Sequence, residues 1–356
     1  MIRPSGLPQA ARSPVTPIRE PSVARVRHLT RRMRTIHLAI VAGLVPVACI
    51  VALCIGSVHV PLTLVWGALV HPHATGSAQT IVVGLRLPRV LIAVCVGAGL
   101  GVAGATLQAL FRNPLVDPFV TGVSAGAALA AAAAMAAGIA FAMIPALAFV
   151  GGLTCAIIVA ALGSGDSPAG NVRLVLAGVA ISALASAAVT LILLQHAGAD
   201  QGILAWLAGG INGRGWNDVL LVSIYLALGF GFALANVHAI NLLRLGETAA
   251  RGFGMRVDAA RWRILGIASL ITAACVCVSG VIGFVGLMVP HAMRPLVSGD
   301  ARWLLPASAL AGAVVVVLAD MLARTVLAPA EIPLGVLLAF VGVPFFLFLA
   351  RRPVEL

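Results

Sequence analysis

The sequence predicts an all-α membrane protein with about ten spanning helices. Three observations carry that expectation. Apolar residues fill 61% of the 356 positions and charged ones only 10%, at a mean hydropathy of +1.09, which is more apolar surface than a water-soluble domain can bury. These residues gather in charge-poor runs near or above the roughly 20 residues that cross a bilayer. The runs are continuous Ala, Leu, Val and Gly, without the alternation of roughly ten-residue barrel strands.

Taken in order, residues 1–35 are rich in Pro, Ser and Arg and lack an apolar period, so they read as a disordered tail. The tail is too long and too charged for an ordinary signal peptide, and the run 36–56 lacks a cleavage site, so that run reads as a retained helix. Further runs cover 90–110, 174–194, 216–235, 303–323 and 332–350. The run 119–163 has the length of two passes, and 264–293 that of one long pass plus a broken one. Residues 36–352 thus form one membrane domain, interrupted by the polar stretch 241–263.

All 23 basic residues are arginine, against 11 acids, for a net charge of +12. A chain without lysine has no Walker A loop, so any ATP-driven work comes from a partner. Topology explains the excess charge better than nucleic acid does. With the N-terminus inside and ten passes, 19 arginines fall in the cytoplasm and only Arg86, Arg89, Arg214 and Arg324 outside, a strong positive-inside bias with both termini cytoplasmic. The six cysteines lie inside apolar runs, where cysteine packs as a small hydrophobe. Cys275 and Cys277 point about 200° apart on one helix, the wrong geometry for chelation.

Several motifs raise chemical questions. Gly122-Val123-Ser124-Ala125-Gly126 spells the G-x-S-x-G elbow of serine hydrolases, but that elbow needs a preceding strand. Here Pro114 and Pro118 stop one helix and set the start of the next. Gly97, Gly99, Gly101 and Gly104 form small-xxx-small faces suited to close helix packing. In 241–263, five arginines, two acids and a Gly-Phe-Gly break suggest one or two surface helices, a tether or a docking loop. Segments 102–127 and 278–313 echo each other, entered in opposite directions, as in an inverted repeat.

The stretches RLPRVLIAVCVGAGLGVAGATLQALFRNPLVDPFVTGVSAGAALA (86–130), GVIGFVGLMVPHAMRPLVSGD (280–300) and LPASALAGAVVVVLADMLARTVLAPAEIPLGVLLAFVGVPFFL (305–347) resemble FecCD/BtuC-type permeases. These are the membrane subunits of type II ABC importers for ferric siderophores, haem and cobalamin. The resemblance covers about 36–352 and is greatest to haem importers. It implies a homodimer with the pore on its axis in the bacterial inner membrane, two cytoplasmic ATPase subunits that hold the ATP, and a periplasmic binding protein. The chain itself is then a transport subunit with no cofactor of its own, and haem is its cargo.

The same resemblance assigns residues. Arg86, Arg89 and Arg324 would meet glutamates of the binding protein, although external arginines also serve as interface anchors. Leu245, Gly246, Glu247, Ala250, Phe253 and Gly254 match the coupling helices, with Phe-Gly where the family commonly has Leu-Gly. GNVRLVLAG places Asn171 and Val172 at a cytoplasmic gate, with 173–195 lining the pore. His291 reads as a structural hydrogen bonder, and His59, His71 and His73 as surface residues or transient haem ligands. Asp320 stands one turn before Arg324, an i,i+4 pair or else a proton-coupling acid. An ion-coupled secondary transporter is the alternative class, but it commonly carries mid-membrane acids. An intramembrane protease needs a histidine matched in depth to Ser124.

Overall fold

The computed structural model describes residues 31–56, 58–72, 76–163, 170–196 and 200–350, and among these there is no strand. In chain order the helices are α1 (Arg31–Cys54), α2 (Leu62–Val70), α3 (Ser77–Gln79), α4 (Leu87–Phe111), α5 (Val123–Ala136), α6 (Ile144–Gly163), α7 (Gly170–Gln195) and α8 (Asp200–Leu207). There follow α9 (Trp216–Ala235), α10 (Val237–Leu245), α11 (Glu247–Gly252), α12 (Val257–Ser279), α13 (Val285–Val297), α14 (Ala301–Ala323) and α15 (Leu334–Ala350). Seven helical stretches are long and apolar enough to cross a bilayer: those of α1, α3 through α4, α6, α7, α9, α12 and α14; α5 and α15 are apolar but shorter.

The apolar runs become helices, and the double runs divide where glycine takes a positive φ. Gly138 (φ 70°) ends α5 and Gly280 (φ 65°) ends α12. The differences from expectation lie at the charged edges. The second helix runs back through a π-helical stretch, Thr80–Arg86, to Ser77, and α12 begins at Val257. Hydropathy cuts a run at a charge, whereas the helical hydrogen-bond ladder continues past it. The polar loop also divides earlier than the Gly-Phe-Gly break, at Gly246 (φ 109°) between α10 and α11; that conformation is open to glycine at little cost. Residues 1–30 of the expected tail lie outside the described residues, while Arg31 to Thr35 already belong to α1.

The centre is built on α4 and α12, each with 78% of its most apolar window buried, against 17% for α7. The outer helices turn large side chains outward, such as Leu184 and Leu194 on α7 and Leu220 and Ile224 on α9, as helices facing lipid tails do. One stripe of α4 explains its position. A Cβ on Gly97 would fall 2.1 Å from the Gly312 carbonyl oxygen, one on Gly101 2.2 Å from that of Ser308, and one on Gly104 1.9 Å from that of Gly286. The backbones of α4, α14 and α13 therefore touch directly, as small-xxx-small packing allows.

Gly104→Val should cost about 3 kcal/mol, the upper part of the overpacking range, read as a lowered unfolding midpoint in detergent. Gly231→Ala, with nothing within 4 Å, should leave that midpoint unchanged or slightly raised, by up to about 1 kcal/mol of helix propensity.

Candidate functional site

At the end of the bundle assigned to the outside, the four outer arginines converge. Arg86 and Arg324 are 6% and 5% exposed. Arg324 donates to the Ala52 carbonyl at 3.2 Å; Arg86 donates to those of Leu53 at 2.6 Å and Cys54 at 3.2 Å, and to Val58. Both guanidiniums thus satisfy the orphan carbonyls that end α1, where a cation also meets the negative end of the helix dipole. Gly56 lies over them, its Cβ position 3.0 Å from one and 3.2 Å from the other. Arg86 and Arg324, two of the three arginines expected to meet a binding protein, therefore lie beneath the α1–α2 loop.

Asp320, 1% exposed, joins the cluster. It pairs with Arg324 at 3.1 Å, the expected i,i+4 contact, and with Arg89 at 2.9 Å. Arg89 also pairs with the exposed Glu331 at 3.0 Å, so it reaches nearest the surface of the three.

Below this cluster lie two chambers, both open to the molecular surface. The outer, about 340 Å³, is lined by Arg89, Phe141, Trp206, Asn212, Arg214 and Glu331 among others. The inner, about 640 Å³, is walled mainly by apolar groups, including Phe119, Phe284, Leu287 and Phe346, with Asp117 in its wall. They adjoin where three backbones meet. Cβ positions on Gly209, Gly280 and Gly335 would lie 2.3 Å from the Val281, 2.2 Å from the Trp206 and 2.5 Å from the Ala208 carbonyl oxygen. The walls come from α8, the α12–α13 break and α15; α7, expected along the pore, lines neither chamber.

Two polar groups hold the inner chamber to the crossing of the echoing segments. Gln108 donates to the carbonyls of Gly286 at 3.3 Å and Leu287 at 3.2 Å and accepts from Arg294 at 2.9 Å. Asp117 accepts from the Phe119 amide at 3.0 Å, while its Oδ2 is buried without a partner. Burial pushes its carboxyl up to about 6, against the nearby amides of Phe119, Phe284 and Leu287, which hold it down.

On the opposite end, α10 and α11 form the polar loop. Asn241 bonds Asp300 at 2.7 Å and the Ala301 amide at 2.8 Å, and Arg244 donates to Gly299, fastening α10 to the start of α14. Ala250 is fully buried and Glu247 pairs with Arg261 at 3.5 Å. Leu245 and Phe253 stand out at 65% and 71% exposure, on either side of α11, with Gly246 and Gly254 (φ 78°) at the turns.

The other expected residues scatter. Val172 is exposed at the start of α7, and the Asn171 side chain lies outside the described residues. His59 and His71 are exposed, and His73 lies outside the described residues. His291 has a buried Nδ1 without a partner, so the structural hydrogen bond expected there is not made at that atom. Ser124 is buried in α5, the helix that Gly122 (φ 75°) begins. Sequence reasoning missed α8, which is too short to register as a span, and with it Trp206 and the glycine contact beneath it.

The model of the FecCD transport family matches residues 44–352. The chain belongs to the FecCD transport family. Among relatives of this FecCD chain, the hemin transport system permease protein HmuU of Yersinia pestis is 39% identical over 317 residues, 86% of this chain and 94% of that protein. The cobalamin import system permease protein BtuC of Halobacterium salinarum is 38% identical over 291 residues, 82% and 78% of the two chains. A solved metal-chelate type ABC transporter in an inward-facing conformation superposes with TM-score 0.80 at 31% identity, covering 89% of this chain and 99% of that one. The FecCD chain is accordingly a permease subunit of an ABC importer and not an enzyme.

Asp320→Asn should destabilise by about 3 kcal/mol, because it leaves the buried Arg324 without a carboxylate and Arg89 with Glu331 alone; thermal unfolding in detergent reads this. Asp117 contributes a second expectation. Its folded value of about 6 lies above the ordinary 3.8, so the folded state holds the proton more tightly, and that stabilisation fades as pH rises from 4 through 6. Asp117→Asn should match wild type near pH 4 and exceed it in unfolding midpoint near pH 7.

Proposed function

We propose that this chain carries haem from a periplasmic binding protein to the cytoplasm, as a homodimer in the bacterial inner membrane with two cytoplasmic ATPase subunits. The observation that carries the haem assignment is the match to HmuU along nearly all of that protein's length. The inner chamber supports it, because a space of about 640 Å³ with aromatic walls suits a large, flat, partly apolar cargo. Ferric siderophore or cobalamin in the same kind of machine is the alternative cargo. An ion-coupled secondary transporter finds less support, since Asp320 is engaged by two arginines and so is not free to relay protons.

In this reading the chain makes ten passes with both termini in the cytoplasm. Acidic groups of the binding protein approach Arg89, competing with Glu331, while Arg86 and Arg324 hold the rim beneath. Leu245 and Phe253 enter a groove of the ATPase as apolar knobs, with Gly246, Glu247, Ala250 and Gly254 shaping the loop between them. Asn171 and Val172 narrow the cytoplasmic mouth. ATP-driven closure of the partner subunits pushes the fastened loop and biases the bundle between its two openings.

Reconstituted in liposomes with the cognate partners, the chain should take up haem with ATP and leave cobalamin outside. Uptake of cobalamin without haem overturns the cargo assignment. Phe253→Asp should lower haem uptake roughly 10-fold or more by burying a charge in the ATPase contact, with the unfolding midpoint of the isolated chain unchanged.

A further inference from the structure

Arg214 is the outer arginine with the least complete set of partners. Its side chain is 6% exposed, yet Asp218 stands 3.7 Å away, too far for a hydrogen bond. Oδ2 of Asp218 is occupied by the Gly215 amide at 3.0 Å. The guanidinium lies over the Phe141 ring, 5.3 Å from its centroid. Burial pulls its pKa below the ordinary arginine value and Asp218 pulls it back. Trp206, 7% exposed, lines the same outer chamber and has its indole N–H buried without an acceptor. Arg89, Arg214 and Arg324 pair with the three carboxylates described there, those of Asp218, Asp320 and Glu331, while Arg86 bonds only carbonyls, so the cluster as a whole keeps one positive charge in excess.

We propose that Arg214, with Trp206 and Asn212 beside it, forms a carboxylate-recognition site that takes a carboxylate arm of the cargo as it enters the outer chamber. The inference rests on the import function proposed above. A guanidinium fork matches a carboxylate in two parallel hydrogen bonds, and the unmatched charge offsets the anion's desolvation. A chamber of about 340 Å³ admits a propionate-sized arm rather than a whole macrocycle. Haem carries two propionates, whereas the arms of cobalamin are amides, so the site favours haem or another carboxylate-bearing iron chelate.

The test uses the full chain in lipid nanodiscs without a binding protein, titrated with hemin and with hemin dimethyl ester and followed by the Soret band. Wild type should bind hemin roughly 10-fold tighter than the ester, the scale of one hydrogen bond to a charged group. Arg214→Gln should remove that preference and Arg214→Lys retain part of it. Asp218→Asn, which keeps the Gly215 cap acceptor, should strengthen it and shows the site in a variant that leaves Arg214 intact. Equal affinity for hemin and ester in wild type, or a preference that survives Arg214→Gln, overturns the site. Such a survival beside normal haem uptake leaves the cargo standing without the site. Arg214-dependent binding of ferric citrate with no hemin binding keeps the site and removes haem as cargo.

Discussion

Direct backbone contact between α4 and its neighbours is the constraint on which the rest of the structure depends. Inside a bilayer, helices gain nothing from leaving lipid, so close packing and polar contacts must hold them together. The stripe Gly97, Gly101 and Gly104 removes the side chains that would keep backbones apart. It also sets a register. Passing from Arg89 to Gly97 to Gly101 along α4, the partners on α14 pass from Asp320 to Gly312 to Ser308 in equal steps. The helices are antiparallel, and a slip along the stripe would take Arg89 from its buried acid.

Both ends of the molecule inherit that register. At its outer end α4 delivers Arg89 to Asp320, and the π-helical stretch that leads into it delivers Arg86 to the carbonyls of α1. At its inner end Gln108 reaches the first turn of α13, and a Cβ on Gly246 would lie 3.2 Å from the Arg112 guanidinium. One helix therefore links the arginine cluster, the crossing below the inner chamber and the polar loop. The chambers occupy what that framework leaves open, beside the three glycines that let α8, α15 and the α12–α13 break meet.

The outer arginines show how burial changes a residue's meaning. Counted along the chain, they are external cations against a positive-inside background, and a partner protein is the natural explanation. In three dimensions two of them close the C-terminus of a helix and two share one buried acid. A buried guanidinium without such contacts would be costly, so these arginines must first support the fold before any of them meets a partner. Arg214, whose contacts are incomplete, is the exception in the cluster.

The sequence by itself determined the helical class, the apolar runs, their broken members and the position of the polar loop, because each depends on composition and order along one strand of chain. It also made the Asp320–Arg324 pair legible, since four residues along a helix is a local distance. Only the tertiary structure decided that Arg89 shares Asp320, that Asp117 and Phe284 face one chamber, and that α8 lies against Gly280. These contacts join residues up to 231 positions apart, through backbone approaches that a linear pattern of glycines permits but does not pair.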